Sequence, residues 1–170
     1  AALNYNRQVI AHIGLVGAYA VPFLLSENSG NVTVLYSYMA IINIGVLIIS
    51  VKKYWKPLYY SSFILTWIIF SFWYITDFQA DTHSAIFWVF AFLFFMTFYL
   101  IFISYKLLHQ EKFQASDVLL ILSNSFIFYG LGYSVLVNDP GGEQLLGLFT
   151  LGNAAIHLAV TRFIYRQKAG

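Results

Sequence analysis

Six apolar runs, each about 20 residues long, divide this chain, and all of its Lys and Arg residues lie toward its two ends or at every second break between the runs. The bases are Arg7, then Lys52, Lys53 and Lys56, then Lys106 and Lys112, then Arg162, Arg166 and Lys168. The alternate breaks carry acids and no bases: Glu27, then Asp77 and Asp81, then Asp139 and Glu143. A helix needs about 20 apolar residues to cross a hydrocarbon core of about 30 Å. Basic residues collect in the loops that stay cytoplasmic. The pattern therefore predicts an all-α, polytopic transmembrane helical bundle: three in-out-in hairpins with both termini cytoplasmic. The spans are expected at about 8–25, 32–51, 58–76, 84–107, 117–137 and 145–165, in one transmembrane domain covering 1–170. None of the runs alternates in polarity as an outer-membrane strand does.

Composition removes several function classes. The chain is 60% hydrophobic and 9% charged, against about 25% charged in soluble domains. Its net charge of +2 comes from the basic rim, which suits anionic lipid headgroups and offers no groove for nucleic acid. With no cysteine there are no disulfides, thiolate metal sites or thiol catalysis. No secretory leader is visible, because no small-residue cleavage site separates the first run from the next charged loop. The chain begins at Ala1 rather than Met, which suggests a slice of a longer protein.

Polar residues inside spans are costly and mark candidate sites. At about 1.5 Å per residue from the basic rim, His12 and His157 lie about 7–8 Å deep, Asn43 and Asn153 about 13–14 Å, and Asn124 about 10 Å counted from Asp117. Asn153 and His157 are four apart and share a helix face. These five are the candidates for binding a headgroup, an ion or a proton. The competing reading is interhelical hydrogen bonding, worth on average about 0.6 kcal/mol per bond. Small residues suggest close helix packing: Gly14 and Gly17 on the first span, Gly130 and Gly132 on the fifth, Gly152 on the sixth. Packing of spans one, five and six together would bring His12 toward His157.

Other chemistry finds little support. Asp77, Asp81 and His83 have no converging partner to complete a metal site. Ser134 lies about 6 Å below the outer rim and His157 about 20 Å below it, so they cannot form a dyad. Zinc-protease, nucleophile-elbow and phosphate-loop signatures are absent. No catalytic residue, cofactor or metal is assigned, and the reading leans away from an enzyme. The fourth span carries Phe90, Phe92, Phe94, Phe95, Phe98 and Phe102 around its whole circumference, so it is expected to be buried in lipid or protein on every side.

Three stretches go beyond hydropathy: HIGLVGAYAVPFLLSENSGN from His12 to Asn31, LYSYMAIINIGVL from Leu35 to Leu47, and KKYWKPL from Lys52 to Leu58. With SDVLLILSNSFIFYGLGY from Ser116 to Tyr133, they resemble a bacterial family of predicted membrane proteins known as domain of unknown function twenty-three thirty-nine. The resemblance implies a longer parent chain with more spans, set in the bacterial cytoplasmic membrane. It carries over no activity and no catalytic residue. Two functions are expected: a segment of a multi-span transport or lipid-handling protein, or an assembly scaffold. The expected partners are membrane lipids and either further helices of a longer chain or copies of this one.

Overall fold

A computed structural model describes residues 8–25, 31–139 and 141–169. Among them are six α-helices and no strand: α1 (Gln8–Leu25), α2 (Val32–Lys52), α3 (Lys56–Thr76), α4 (Ala80–Leu108), α5 (Ala115–Asn138) and α6 (Gly142–Ala169). Each helix covers its expected span. α2 to α6 contain stretches long and apolar enough to cross a membrane, and α1 contributes a shorter apolar stretch from Gln8 to Pro22.

Local chemistry sets the helix ends. The Asn31 side chain accepts from the Val34 N–H at 3.2 Å and caps α2. Pro57 opens α3, where its missing N–H costs nothing. Gln114 and Asp117 form a reciprocal capping box on α5. The α5–α6 turn requires glycine twice. Gly141 has φ +87°, and a Cβ on Gly142 would collide with the Leu136 carbonyl.

α4 is the central post. It packs chiefly on α2, then on α5, and also touches α3; α1 lies on α3 and α2, while α6 lies on α5. Helices thus pair with the second neighbour along the chain as well as the first. The expected packing of α1 with α5 and α6 is corrected here, since α1 and α6 lean on different partners. The glycines explain the difference. A Cβ on Gly14, Gly17, Gly130 or Gly152 would meet nothing within 4 Å among the described residues, so no close helix approach is made at any of them. One is made at Gly132, because a Cβ there would stand 2.5 Å from the Phe149 ring and 3.1 Å from Trp88.

The core is aromatic. Phe87, Phe90, Phe94, Phe95, Phe98 and Phe102 of α4 are buried among protein, whereas Phe92 is 50% exposed and points outward. Phe70 of α3 lies 5.1–5.9 Å, centroid to centroid, from Tyr36, Trp67, Trp73, Phe87 and Phe94. These rings meet mostly edge-on or tilted, the arrangement that ring quadrupoles favour. Outside this core the polarity is inverted. Ile13, Ile41, Ile48, Ile68, Phe72 and Leu148 are exposed, while Asn43, Ser50, Ser62, Thr66 and Asn124 are buried. Such a surface suits hydrocarbon, and the buried polar groups supply the interhelical hydrogen bonds that hold helices together there.

Three buried side-chain polar atoms lack a partner among the described residues: His12 Nδ1, and two donors, the Tyr36 hydroxyl and the Trp73 indole N–H. The rings of Tyr36 and Trp73 meet edge-on at 5.4 Å. An unsatisfied buried polar group carries a desolvation penalty of about 1–3 kcal/mol. Tyr36→Phe is therefore expected to leave the unfolding free energy unchanged or raise it by about 1 kcal/mol, as measured by denaturation in mixed micelles. A clear loss of stability would show that the hydroxyl has a partner.

Candidate functional site

The five polar candidates do not form one cluster. They separate into local groups, each closed by residues of neighbouring helices. On the α1–α2–α3 side, Tyr19 donates to Asn43 Oδ1 at 2.6 Å and Asn43 Nδ2 donates to Thr66 Oγ1 at 3.0 Å. Tyr19 and Thr66 also stand 2.7 Å apart, which closes a ring of three hydrogen bonds. His12 lies beside Ser61 at 3.2 Å through Nε2. In the middle, Asn124 accepts from Trp67 Nε1 at 3.0 Å and donates to the Phe95 carbonyl at 2.9 Å. Asn43 and Asn124 are fully buried with their groups bonded to protein, which is the geometry of helix-joining residues.

The remaining two candidates meet on α5 and α6. Ser125 donates to Asn153 Oδ1 at 3.2 Å and bonds His157 Nε2, and His157 Nδ1 lies 3.0 Å from the Tyr99 hydroxyl of α4. A serine has one proton to give. With that proton on Asn153, His157 donates to Ser125 from Nε2 and accepts from Tyr99 at Nδ1. The donors Tyr99, His157 and Ser125 then all point toward Asn153. Ser125 escaped sequence reasoning, because a mid-helix serine usually bonds the carbonyl a turn back. Ser134 does so, donating to the Gly130 carbonyl at 2.9 Å.

Asn153 faces a groove. Between α4, α5 and α6 opens a cavity of about 700 Å³, walled by Trp88, Phe92, Phe128, Phe149, Ile156 and the Asn153 side chain. No charged residue lines it. Its rings hold one another, with Phe149 at 5.4 Å from both Trp88 and Phe128. The close contact that Gly132 allows seats Phe149 against α5 and so shapes this wall.

A second polar centre lies at the basic rim, where the α2–α3 and α4–α5 connections meet. Lys106 is 4% exposed, with its amino group 3.0 Å from Glu111 and 3.8 Å from Asp117. Lys56 stands 3.6 Å from Asp117 and donates to Gln114 at 2.6 Å and Ser116 at 3.1 Å. Tyr54 donates to Asp117, and the Lys106 ammonium lies 4.4 Å from its ring centre. Burial first, and then the neighbouring carboxylate, hold the Tyr54 phenol above its ordinary range, so it remains a donor. The sequence offered one signal of this centre. Glu111 and Asp117 are acids on the side where bases gather.

At the opposite end, Asp77 accepts from Thr76 at 2.5 Å and His83 Nδ1 accepts from the Gln79 N–H at 3.2 Å. Among the described residues no group of three or more His, Asp or Glu could hold a metal ion.

A helical bundle with an apolar exterior, polar groups bonded across its interior and several membrane-length helices defines a membrane protein. The family model described as Predicted membrane protein (DUF2339) matches residues 1–170, and the chain belongs to that family. No curated protein and no solved structure matches it.

Proposed function

We propose that this bundle handles lipid, taking an apolar ligand from the bilayer into the groove between α4, α5 and α6. One observation carries the reading: an uncharged groove of about 700 Å³ has Asn153 in its wall, held there through Ser125 and His157. Ligand sites are mostly apolar with a few placed polar groups, and fall in this size range. The orientation that goes with the proposal sets the basic rim in the cytoplasm of a bacterium and both termini on that side. It is supported by the sorting of Lys and Arg and by contact between the α2–α3 and α4–α5 connections at one end.

The test is photolabelling in native-lipid patches with a phospholipid carrying a tail diazirine, followed by peptide mapping. Labels are expected to concentrate at Phe92, Phe149 and Ile156 relative to Ile41 and Ile48, which are exposed on α2. Equal labelling of both faces would sink the reading.

A scaffold role is the second reading, favoured by α6. It leans on α5, and Gly147, Leu151, Ala154 and Leu158 lie exposed along it. Under that reading further helices, from a longer chain or a second copy, cover α6, and the groove residues gain helix cross-links in place of lipid labels.

A further inference from the structure

The groove's chemistry is narrower than that of a general lipid slot, and four features define its ligand. Charge is the first. No Lys, Arg, Asp or Glu lines the wall, and an ionic headgroup placed there would lose its hydration without gaining a counter-charge. Donor count is the second. Asn153 is the polar side chain of the wall, and its Oδ1 is occupied by the Ser125 hydroxyl. Its amide N–H groups are the donors left for a ligand, so a ligand with an acceptor suits it.

Depth is the third feature. Asn153 lies nine residues from Arg162, about 13–14 Å along the helix, which is close to the centre of a hydrocarbon core of about 30 Å. The ester carbonyls of a phospholipid stay at the interface with their headgroup, so the acceptor must belong to a molecule able to sink to the mid-plane. Shape is the fourth. Trp88, Phe92, Phe128 and Phe149 line the groove, and Phe92 and Trp88 are not enclosed by protein. Flat conjugated rings stack on such walls in offset or edge-on arrangements.

Resting on the lipid-handling reading above, we infer that the ligand is a lipoquinone: an uncharged lipid whose flat ring lies between these aromatics and whose carbonyl accepts from Asn153. Tyr99, His157 and Ser125 act as positioning residues. They hold the Asn153 carbonyl inward and so turn its N–H toward the groove.

The test measures equilibrium binding of a benzoquinone with a ten-carbon tail to the full chain in lipid nanodiscs, read by quenching of tryptophan fluorescence. Ethyl decanoate, which has a carbonyl and a tail but no ring, competes as the comparison probe. Saturable quenching is expected, with Asn153→Leu weakening it about fivefold, the scale of one net hydrogen bond. Trp88→Phe is expected to remove most of the quenching, and ethyl decanoate to displace the quinone only at concentrations at least fivefold above the quinone's own half-saturation. Equal competition by ethyl decanoate, or undiminished binding to a folded Asn153→Leu variant, would overturn the quinone inference and leave the lipid groove standing. Failure of both probes to saturate would overturn both. Should Asn153→Leu not fold, Phe92→Ala removes an outward ring without touching the hydrogen-bonded residues, and unchanged quinone affinity there would equally overturn the inference.

Discussion

Asp117→Leu is expected to lower the unfolding free energy by about 3–5 kcal/mol, the cost of leaving a buried charge without its partner. The carboxylate has four attachments. It accepts from Tyr54, caps the Gln114 N–H at 2.8 Å, and lies 3.6 Å from Lys56 and 3.8 Å from Lys106. Lys56 can turn to water. Lys106 cannot, since it is 4% exposed, and it keeps the half-exposed Glu111 and the Tyr54 ring but no buried carboxylate. Asp117→Asn should cost less, because an amide still accepts from Tyr54 and still caps α5. The deciding comparison is the double variant Lys106→Met with Asp117→Leu, expected to recover all but about 1–2 kcal/mol, since apolar replacement of a whole buried pair is often near neutral. Equilibrium unfolding in mixed micelles reads all three. A loss under about 1 kcal/mol for Asp117→Leu would mark the cluster as an ordinary solvated rim.

Phe70→Ala is the second large effect, expected at about 2–4 kcal/mol. In water, Phe→Ala in a core costs about 3–5 kcal/mol, the sum of a transfer term and a cavity term. In a bilayer the transfer term shrinks, because lipid tails are as apolar as a protein core. The cavity term remains. Five rings surround Phe70, and each is held by further rings, so the site cannot collapse. Phe72→Ala, two residues away on the exposed face, removes the same atoms and should cost under about 0.5 kcal/mol. Thermal melting of the two variants side by side checks the difference. Similar losses would mean that Phe72 is covered by protein in the membrane.

The six helices were readable in the sequence because a run of about 20 apolar residues has few alternatives in a chain so poor in charge. Level along a helix axis follows from residue count alone. Counting from the outer rim separated Ser134 from His157, and the two do bond elsewhere. Lateral position was not readable. His12 and His157 share a level by residue count, yet one belongs to α1 beside Ser61 and the other to α6 beside Ser125 and Tyr99. Depth is one coordinate, whereas helix order and rotation depend on which faces interlock, and an aromatic helix such as α4 advertises every face alike. Phe92 turned outward while Phe95 turned inward, with no difference in residue type to announce it. The glycines misled for a related reason. A missing side chain permits close approach without requiring it, and among those named only Gly132 uses the permission.

The interlaced packing of α2 on α4, skipping α3, sets a timetable for biogenesis. Lys52 ends α2 and Leu108 ends α4, so at about 5–20 residues per second α4 is completed about 3–11 s after α2. Throughout that interval the nascent α2 stands in the bilayer or the insertion machinery without the neighbour that will enclose Tyr36, and first without Thr66, the eventual partner of Asn43. Asn43 without Thr66 leaves a polar amide N–H unpaired in apolar surroundings, a cost that falls only once α3 packs on α2.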